Sequence, residues 1–439
     1  MTPISESQNM GTVMGTGMGR VVLMICDGHR NDFVRPDTCP AIFDFAGRSR
    51  RFANHRAIFP SATRASAAAI ATGCWPANHG LHGNTMGLPD GGGGVRVHDV
   101  GDPAFVGKLR NALGRTLKVP TMAERLAPHG GAIIASNVSP GAAYFHDPDN
   151  FGHVVHRAGS LGPGGRVLLL DEAPVVSHDA AGDQALTDWF TSEVLRVRRP
   201  RLSVLWLANP DQGMHAGPLG SPTHLDAIAG ADRAFAQVER TVQALRDEGE
   251  DILFLVGSDH GQETVRERVA VAARLIDAGL KDGPDSTEVV VAPQGGSGLI
   301  YVAQTAEGRI PAILSFLKAQ PYIAEVFHGA EMLHLGQRPE NGLQIAFAMA
   351  RSPEPNEFGV AGLITVCVSD EKPGKPEGFG SHGGLGDFER HPFLIANGGG
   401  FAPGTIETGV TRLIDVAPTV MRYLGLSRDG MDGLALPQN

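Results

Sequence analysis

Short, apolar, β-rich segments recur along the chain and restrict its fold more than any other feature of the sequence. They lack polar alternation, which is typical of parallel strands buried on both faces. Helical segments lie between several of them, the longest at His224–Arg246. This alternation predicts an α/β layered fold around a mostly parallel sheet. The predicted strands are Val21–Cys26, Gly131–Ala135, Val167–Leu170, Leu202–Leu207, Ile252–Val256, Val289–Ala292, Leu363–Val368 and Phe393–Ala396.

The length of the chain favours one large domain with insertions, or two domains. A chain of 439 residues is too long for one minimal core. We divide it into a disordered tail at residues 1–19, a main domain at 20–428 and a C-terminal tail at 429–439. Insertions into the main domain are predicted at about 87–118 and 264–375.

Charge, cysteine usage and hydropathy exclude several classes of partner. The net charge is −10 without a Lys/Arg stripe, so no nucleic acid polymer is expected. The four cysteines form no CxxC pair, which favours reduced thiols. No segment resembles a secretory signal or reaches the ~18 apolar residues of a membrane span. We therefore predict no membrane partner and a cytoplasmic location.

Three of the predicted strands lead into an aspartate: Asp27, Asp211 and Asp259. Ligands of open α/β sheets collect beyond the carboxyl ends of the strands, where an aspartate can hold a metal ion. His215 and His260 accompany two of these aspartates. Taken alone, each segment is also explained as a polar loop with a capping aspartate.

Two further segments carry candidate site residues. His382 lies in the glycine-rich segment Gly380–Gly384, whose backbone allows close approach, although such a histidine is often only a solvated loop residue. Thr63 precedes the alanine-rich segment Ala65–Ala71, so its hydroxyl would lie at a helix N-terminus, a location that favours phosphate. The alternative for Thr63 is a simple N-cap.

Together these residues form a set suited to two metal ions. Three aspartates and three histidines match the ligand preferences of Zn²⁺. A two-metal cluster can clamp a phosphoryl group and lower the pKa of a bound hydroxyl. A threonine needs such help because its own hydroxyl pKa lies far above neutral. We predict two Zn²⁺ ions, with Mn²⁺ or Fe as alternatives.

Seven short motifs occur in the order of a known superfamily. They are Asp27-Gly28-His29-Arg30, Phe59-Pro60-x-x-Thr63, Thr72-Gly73, His79-Gly80 with Asn84-Thr85-Met86, Asp211-x-x-x-His215, Ser258-Asp259-His260-Gly261 and His382-Gly383. They span roughly residues 20 to 425 and resemble the alkaline phosphatase superfamily, closest to its nucleotide pyrophosphatase/phosphodiesterase and phosphonoacetate hydrolase branches. The resemblance implies a three-layer α/β/α sandwich with a mostly parallel central sheet and inserted cap regions.

The resemblance also implies roles for the site residues. It implies two groups of metal ligands, one of Asp211, His215 and His382 and one of Asp27, Asp259 and His260. Thr63 would attack phosphorus and form a covalent phospho-threonine, which is then hydrolysed. Asn84 and the backbone N–H of Thr63 would donate to a phosphoryl oxygen in the transition state.

The implied activity is hydrolysis of a small phosphate ester, of the phosphodiesterase or nucleotide pyrophosphatase type. Alternatives on the same site are a phosphonoacetate hydrolase-like C–P bond hydrolase and a phosphomonoesterase. A third alternative is a non-catalytic metal-binding module. The sequence does not predict the oligomeric state.

Two departures from the family bear on the substrate. Phosphodiesterase relatives place an aromatic residue after the nucleophile, where this chain has Arg64, a candidate substrate-binding residue for phosphate or carboxylate or else a surface arginine. Phosphonoacetate hydrolases place two lysines after the strand equivalent to Gly131–Ala135, and this chain has none there. Their substrate is therefore disfavoured unless Arg64, Lys108 or Lys118 substitutes.

Overall fold

A computed structural model describes residues 19–369 and 374–439. The disordered tail predicted at residues 1–19 therefore lies, apart from Gly19, outside the described residues. The strands are β1 Arg20–Cys26, β2 Arg50–Arg56, β3 Thr85–Pro89, β4 Val95–Asp99, β5 Ala132–Ser136, β6 His153–Val155, β7 Leu161–Gly162, β8 Arg166–Val167, β9 Leu202–Leu207, β10 Ile252–Gly257, β11 Glu263–Val269, β12 Val289–Pro293, β13 Ser297–Val302, β14 Ile323–His328, β15 Leu343–Met349, β16 Arg351–Pro355, β17 Ala361–Cys367, β18 Gly380–Ser381, β19 Leu394–Asn397 and β20 Thr405–Arg412. The helices are α1 Pro40–Gly47, α2 Thr63–Thr72, α3 Pro76–His79, α4 Phe105–Leu113, α5 Met122–Leu126, α6 Pro140–Phe145, α7 Ala180–Trp189, α8 Asp211–Ala216, α9 Pro222–Asp247, α10 Val271–Asp277, α11 Ile310–Lys318 and α12 Val416–Tyr423.

A ten-stranded sheet forms the centre of the molecule, in the order β20-β2-β19-β10-β1-β9-β5-β6-β7-β8. β1 pairs in parallel with β10 on one side and β9 on the other, and β9 pairs in parallel with β5. β19 runs antiparallel to both of its neighbours, as does β7. The central sheet is therefore mostly parallel, as predicted.

Helices cover both faces of this sheet. In β1 the side chains alternate between two cores, with Val21, Leu23 and Ile25 on one face and Val22 and Met24 on the other. The first core also contains side chains of α2, α5, α6 and α12, and the second contains side chains of α1, α7 and α9. Because a doubly buried strand needs apolar side chains on both faces, the uninterrupted apolar runs of the sequence produce this three-layer α/β/α sandwich.

Seven of the eight predicted strands form, and one was assigned wrongly. Val167–Leu170 is not a buried strand, because only Arg166–Val167 pairs, at the sheet edge, and Leu170 is 82% exposed. Val289–Ala292 lies in β12 and Leu363–Val368 lies largely in β17. These strands belong to two smaller four-stranded sheets, β12-β13-β15-β14 and β16-β17-β11-β18 respectively, and not to the central sheet. The central strand β2 was missed because its sequence, Arg50–Arg56, is rich in charged and polar residues.

The two segments predicted as insertions have structure of their own. Residues 87–118 contain most of the β3–β4 hairpin and α4. Residues 264–375 contain α10, α11 and most of the two smaller sheets. Residues 429–439 pack on the central domain, since Leu436 is 1% exposed and its amide donates to Thr419 Oγ1 at 2.8 Å.

Candidate active site

Adjacent parallel strands bring the three aspartates together. β10, β1 and β9 are neighbours in the sheet, and Asp259, Asp27 and Asp211 follow their carboxyl ends. The amide of Asp211 donates to the carbonyl oxygen of Asp27 at 2.9 Å, and the amide of Gly28 donates to Asp259 Oδ1 at 3.2 Å. One backbone–backbone hydrogen bond and one amide-to-carboxylate hydrogen bond thus connect the segments that follow the three strands.

Gly28 makes this close approach possible. Its φ of +71° lies in the left-handed region that favours glycine, and a Cβ there would lie 3.0 Å from Asp211 Cβ. Any larger residue at position 28 would push the Asp27 and Asp211 segments apart. The glycine of the first motif, Asp27-Gly28-His29-Arg30, therefore has a steric reason in this chain.

Each of the three histidines is oriented by a backbone carbonyl. His215 Nδ1 lies 2.9 Å from Gly380 O, His260 Nδ1 lies 2.9 Å from Gly261 O, and His382 Nδ1 lies 2.7 Å from Ser61 O. A carbonyl can only accept, so each ring carries its proton on Nδ1 and presents a free Nε2 lone pair. This arrangement is typical of metal-binding histidines.

The ligand atoms form two groups that share one imidazole. Asp27, Asp259 and His260 form one group and Asp211, His260 and His382 the other, with the ligand atoms of each group within 4.8 Å of one another. His215 adjoins the second group, with Nε2 3.4 Å from Asp211 Oδ1. All six predicted ligands therefore lie together, although His260 rather than His215 completes the tighter second group.

The spacing of these atoms fits a bound cation. His260 Nε2 lies 3.4 Å from Asp27 Oδ1 and 3.3 Å from Asp259 Oδ2, and His382 Nε2 lies 3.7 Å from Asp211 Oδ1. Two ligands at about 2.0–2.2 Å from one tetrahedral Zn²⁺ would be separated by roughly 3.3–3.6 Å. Asp27 Oδ1 and Asp259 Oδ2 are also buried without a hydrogen-bond donor among the described residues.

The pKa shifts within the cluster also favour a bound cation. Burial, together with the charges of Asp259 and Asp211, raises the pKa of Asp27 well above its usual range. Burial also raises the pKa of Asp259 and, together with His260, lowers the pKa of His382 well below its usual range. Ionised carboxylates crowded in a buried site are stabilised by a cation, so the residues present fit divalent metal ions.

Thr63 lies at the start of α2, next to this cluster. Its Oγ1 is 3.0 Å from His260 Nε2. The first amides of a helix have no intrahelical partner, and the helix dipole makes this end electropositive. Ala62, not Thr63, occupies the cap position of α2, so the simple N-cap explanation for Thr63 does not hold. The hydroxyl faces the site instead.

Asn84 lies beside the same helix end. Its side-chain Oδ1 accepts a hydrogen bond from the Arg64 amide at 3.1 Å, which leaves its NH₂ group to donate elsewhere. The Arg64 guanidinium donates to the carbonyl oxygen of Asn84 at 2.7 Å, to Asp99 Oδ1 at 2.8 Å and to Ser139 Oγ at 3.1 Å. Arg64 therefore braces the Asn84 segment, and its contact with substrate stays a prediction.

Sequence reasoning missed three residues that support the site. Gln262 donates from Nε2 to Asp211 Oδ1. Its position two residues after His260 could have indicated that it lies near the site. Gln294 accepts from the Asn84 amide at 2.7 Å, and Glu389 accepts from Ser61 Oγ at 2.9 Å. Both lie far along the chain from their partners, so no local pattern indicates them.

A cavity of about 650 Å³ opens from the cluster. His215, His382 and Asn84 lie at one end of it, and Lys375 lies in its wall. The rest of the wall comes from the β3–β4 hairpin and from the region around α10, β12 and β17. The cavity thus joins the candidate metal site to the inserted segments.

Solved structures with the same fold contain enzymes of one class. Murine ectonucleotide pyrophosphatase/phosphodiesterase 5 superposes with a TM-score of 0.63 at 16% identity, covering 96% of this chain and 97% of that chain. Phosphonoacetate hydrolase from Sinorhizobium meliloti 1021, in complex with phosphonoformate, superposes with a TM-score of 0.65 at 16% identity, covering 93% and 96%. The fold is that of the alkaline phosphatase superfamily.

A family model identifies the branch of that superfamily. The model described as type I phosphodiesterase/nucleotide pyrophosphatase matches residues 21–320, and the chain therefore belongs to this family of hydrolytic enzymes. A search of curated proteins finds no match to the chain. In the part of the chain that the structure describes, no helix is both long and apolar enough to cross a membrane.

Proposed function

We propose that this protein is a metal-dependent hydrolase of phosphate esters, of the phosphodiesterase or nucleotide pyrophosphatase type, with Thr63 as its nucleophile and two Zn²⁺ ions as cofactors. The observation that carries the proposal is the separation of 3.3–3.7 Å between the Asp and His ligand atoms, beside a threonine hydroxyl 3.0 Å from one of them. Mn²⁺ or Fe could occupy the same ligands.

The proposed ligands are the six residues of the cluster, Asp27, Asp211, His215, Asp259, His260 and His382. Bound zinc ions would supply charge stabilisation at the phosphoryl oxygens and a lowered pKa for a hydroxyl in contact with them. The carbonyl partners of the three imidazoles keep their Nε2 lone pairs directed at the site. Gln262 Nε2 donates to Asp211 Oδ1, the same oxygen that lies near His215 and His382.

The reaction proceeds in two displacements at phosphorus. In the first, Thr63 Oγ forms a bond to phosphorus, the bond to the leaving group breaks, and the leaving group takes up a proton. In the second, water adds its hydroxyl to phosphorus and returns a proton to Thr63 Oγ as the phospho-threonine bond breaks. The NH₂ group of Asn84 and the first amides of α2 donate to the phosphoryl oxygen as negative charge develops on it.

Two alternatives use the same residues. A C–P bond hydrolase remains a candidate because a phosphonoacetate hydrolase shares the fold. A phosphomonoesterase is the other. A non-catalytic metal-binding module would need neither the Thr63 hydroxyl nor the N-terminus of α2 at this place.

The free, buried cysteines support a reducing compartment, and on that ground we propose a cytoplasmic location, which cell fractionation can test.

A metal titration with a substrate panel tests the proposal. Apo-protein is titrated with Zn²⁺, Mn²⁺ or Fe²⁺ and assayed with a bis-nitrophenyl diester, a nitrophenyl monoester, a dinucleotide polyphosphate and phosphonoacetate. We expect turnover that depends on about two metal ions per chain and favours the diesters. A monoester preference above ~10² would overturn the diester assignment, since that ratio is about 2.7 kcal/mol of transition-state discrimination. No turnover with any metal would support the inert module.

The Thr63→Ala variant distinguishes a nucleophilic role of Thr63 from a role as a metal ligand. We expect turnover to be lost while metal content, measured by mass spectrometry, stays at the wild-type value. Thr241→Ala is the matched control, because Thr241 lies on α9 and its hydroxyl donates only to Gln237 O. Loss of metal from Thr63→Ala would mean that Thr63 is a structural ligand instead.

A further inference from the structure

One buried carboxylate outside the cluster contacts the segments that follow two neighbouring strands. Asp183 lies in the first turn of α7 and is 5% exposed. Its Oδ1 accepts from Asn137 Nδ2 at 2.9 Å and from the Ala208 amide at 3.0 Å. Its Oδ2 accepts from the amide and from Nδ2 of Asn209, each at 3.0 Å. Four neutral donors thus converge on a side chain that has no role in the proposed reaction.

These contacts are not needed by α7 itself. Asp179 caps this helix, and its Oδ1 accepts from the Gly182 amide at 2.8 Å. Burial raises the pKa of Asp183, and its four hydrogen bonds oppose that rise. A buried carboxylate is costly unless donors surround it, and hydrogen bonds to an ionised acceptor are the stronger ones. The Asp183 carboxylate therefore serves the segments that donate to it.

Three of the four donors belong to the connection between β9 and α8. Residues 208–210 form this connection, and α8 begins with Asp211 and carries His215 one turn later. Both backbone groups of Ala208 are engaged, since its amide donates to Asp183 and its carbonyl oxygen accepts from the Gln212 amide at 3.0 Å. Holding Ala208 in place therefore holds the first turn of α8.

The fourth donor joins this connection to the neighbouring strand. Asn137 follows β5, and its own amide donates to the carbonyl oxygen of Trp206 in β9 at 2.9 Å. β5 and β9 pair in parallel, so their carboxyl ends lie side by side. Asp183 links these two strand ends through one carboxylate. No local sequence pattern indicates this, because the rest of α7 and the whole of β9 separate Asp183 from Asp211.

We propose that Asp183 is a positioning residue of the candidate metal site: by holding residues 208–210, it fixes where Asp211 and His215 present their ligand atoms. This inference rests on the proposed function and specifies what sets the metal affinity of its site. Groups that orient metal ligands from outside typically change metal affinity by about 10–100-fold when they are removed. Asp183 acts through the backbone, so we expect an effect of roughly 10-fold on the ion that Asp211 and His215 would bind.

Zinc binding to the metal-free protein measures this effect. The Kd of each of two Zn²⁺ ions is determined in competition with a chromogenic chelator. Asp183→Asn keeps the shape of the side chain but turns an NH₂ group toward two of the donors, and should raise the Kd of one ion roughly 10-fold. Asp183→Glu, which keeps the charge, should recover part of this loss. Asn209→Ala removes a single donor and should raise the same Kd by about threefold, which carries the test if Asp183→Asn does not fold.

Two further variants identify the affected ion and exclude a general loss of stability. Asp211→Ala removes a ligand of one site, and in that background Asp183→Asn should leave the Kd of the remaining ion unchanged. Asp232→Asn is the matched control, because Asp232 is 6% exposed, lies on α9 and accepts from the amides of Ala41 at 3.1 Å and Ile42 at 2.8 Å. It should lower the free energy of unfolding and leave both Kd values unchanged. An equal rise of both Kd values in Asp183→Asn, or no rise, would overturn the inference.

Hydrogen exchange of the metal-free protein tests the same contacts without metal or turnover. Asp183→Asn should speed exchange in peptides that cover residues 207–216, whereas Asp232→Asn should speed it in α1. Unchanged exchange at residues 207–216 would also overturn the inference. A wild type that binds no zinc, or that binds zinc and hydrolyses no ester, would refute the proposed function, and the exchange result would still decide the role of Asp183.

Discussion

Glu389 is a buried carboxylate that we expect to position Thr63, the proposed nucleophile. It is fully buried and accepts hydrogen bonds from Ser61 Oγ at 2.9 Å, Gly384 N at 2.8 Å and Gly386 N at 2.9 Å. Ser61 lies two residues before Thr63, and its carbonyl oxygen accepts from His382 Nδ1 at 2.7 Å. Glu389 therefore joins the loop of the nucleophile to the loop of a candidate metal ligand.

The loss of stability expected on removing the Glu389 carboxylate follows from these hydrogen bonds. Glu389→Ala removes the acceptor of two backbone amides and one hydroxyl, and each buried donor left without a partner costs about 1–3 kcal/mol. Ser61 can turn its hydroxyl to Gly384 O, which lies 3.2 Å away, so we count the two amides in full. The expected loss is about 2–6 kcal/mol of unfolding free energy. Glu389→Gln keeps one acceptor oxygen and should lose about half as much.

Glu389→Ala should lower the catalytic rate in addition to the free energy of unfolding. A displacement of about 1 Å at a reacting group can cost on the order of 10²-fold in rate. At a temperature where the variant is folded, we expect Glu389→Ala to lower kcat by roughly 10–100-fold with KM nearly unchanged, and Glu389→Gln to recover most of it.

Urea unfolding and steady-state kinetics measure the two effects. Asp415→Ala is the control, because Asp415 also accepts from two amides, Arg412 N at 2.8 Å and Leu434 N at 2.9 Å, but contacts no site residue. It should lower stability and leave kcat unchanged. If Glu389→Ala is destabilised and its kcat equals that of wild type, the positioning argument is wrong.

Three further predictions concern protonation, backbone space and metal. Burial, then the charge of Glu389, raises the pKa of Glu263 to about 8 from 4.5, so the folded protein holds this proton more tightly. The stability that the protonated Glu263 contributes is present below pH 4.5 and is lost as pH rises through about 8. The Tm of Glu263→Gln should therefore rise relative to that of wild type between pH 5 and pH 9. A Tm difference that stays constant over this range would contradict the prediction. Gly383→Ala places a Cβ 1.7 Å from Gln294 O at a φ of +105°, and should unfold in less urea, whereas Gly308→Ala, with open space around it, should not. Chelation should lower Tm, since a ligand at 100 times its Kd stabilises by about 2.7 kcal/mol; an unchanged Tm would argue against bound metal.

The site could be predicted where strand order made neighbours of distant residues. Asp27, Asp211 and Asp259 each follow an apolar strand within a few residues, and parallel strands present their carboxyl ends at one edge. The sequence could not indicate Glu389 or Gln294, because their partners lie on segments that meet only through tertiary packing. It also misassigned Val167–Leu170, since an apolar run predicts burial only where the sheet continues beyond it, and here the sheet ends.

The inserted segment 264–375 is part of the site and not only a cover over it. Gln294 lies between β12 and β13 and holds the Asn84 amide, while the amide of Gly296, two residues on, donates to the carbonyl oxygen of His382 at 2.9 Å. The same region lines the cavity beside the cluster. A change in the β12–β13 loop would therefore move Asn84 and the cavity wall together. The three aspartates, by contrast, are positioned by the segments that follow β1, β9 and β10, where the Asp211 amide donates to Asp27 O and the Gly28 amide donates to Asp259 Oδ1. A substitution in the inserted segment can thus change the cavity wall, while the three aspartates stay where the strand order places them.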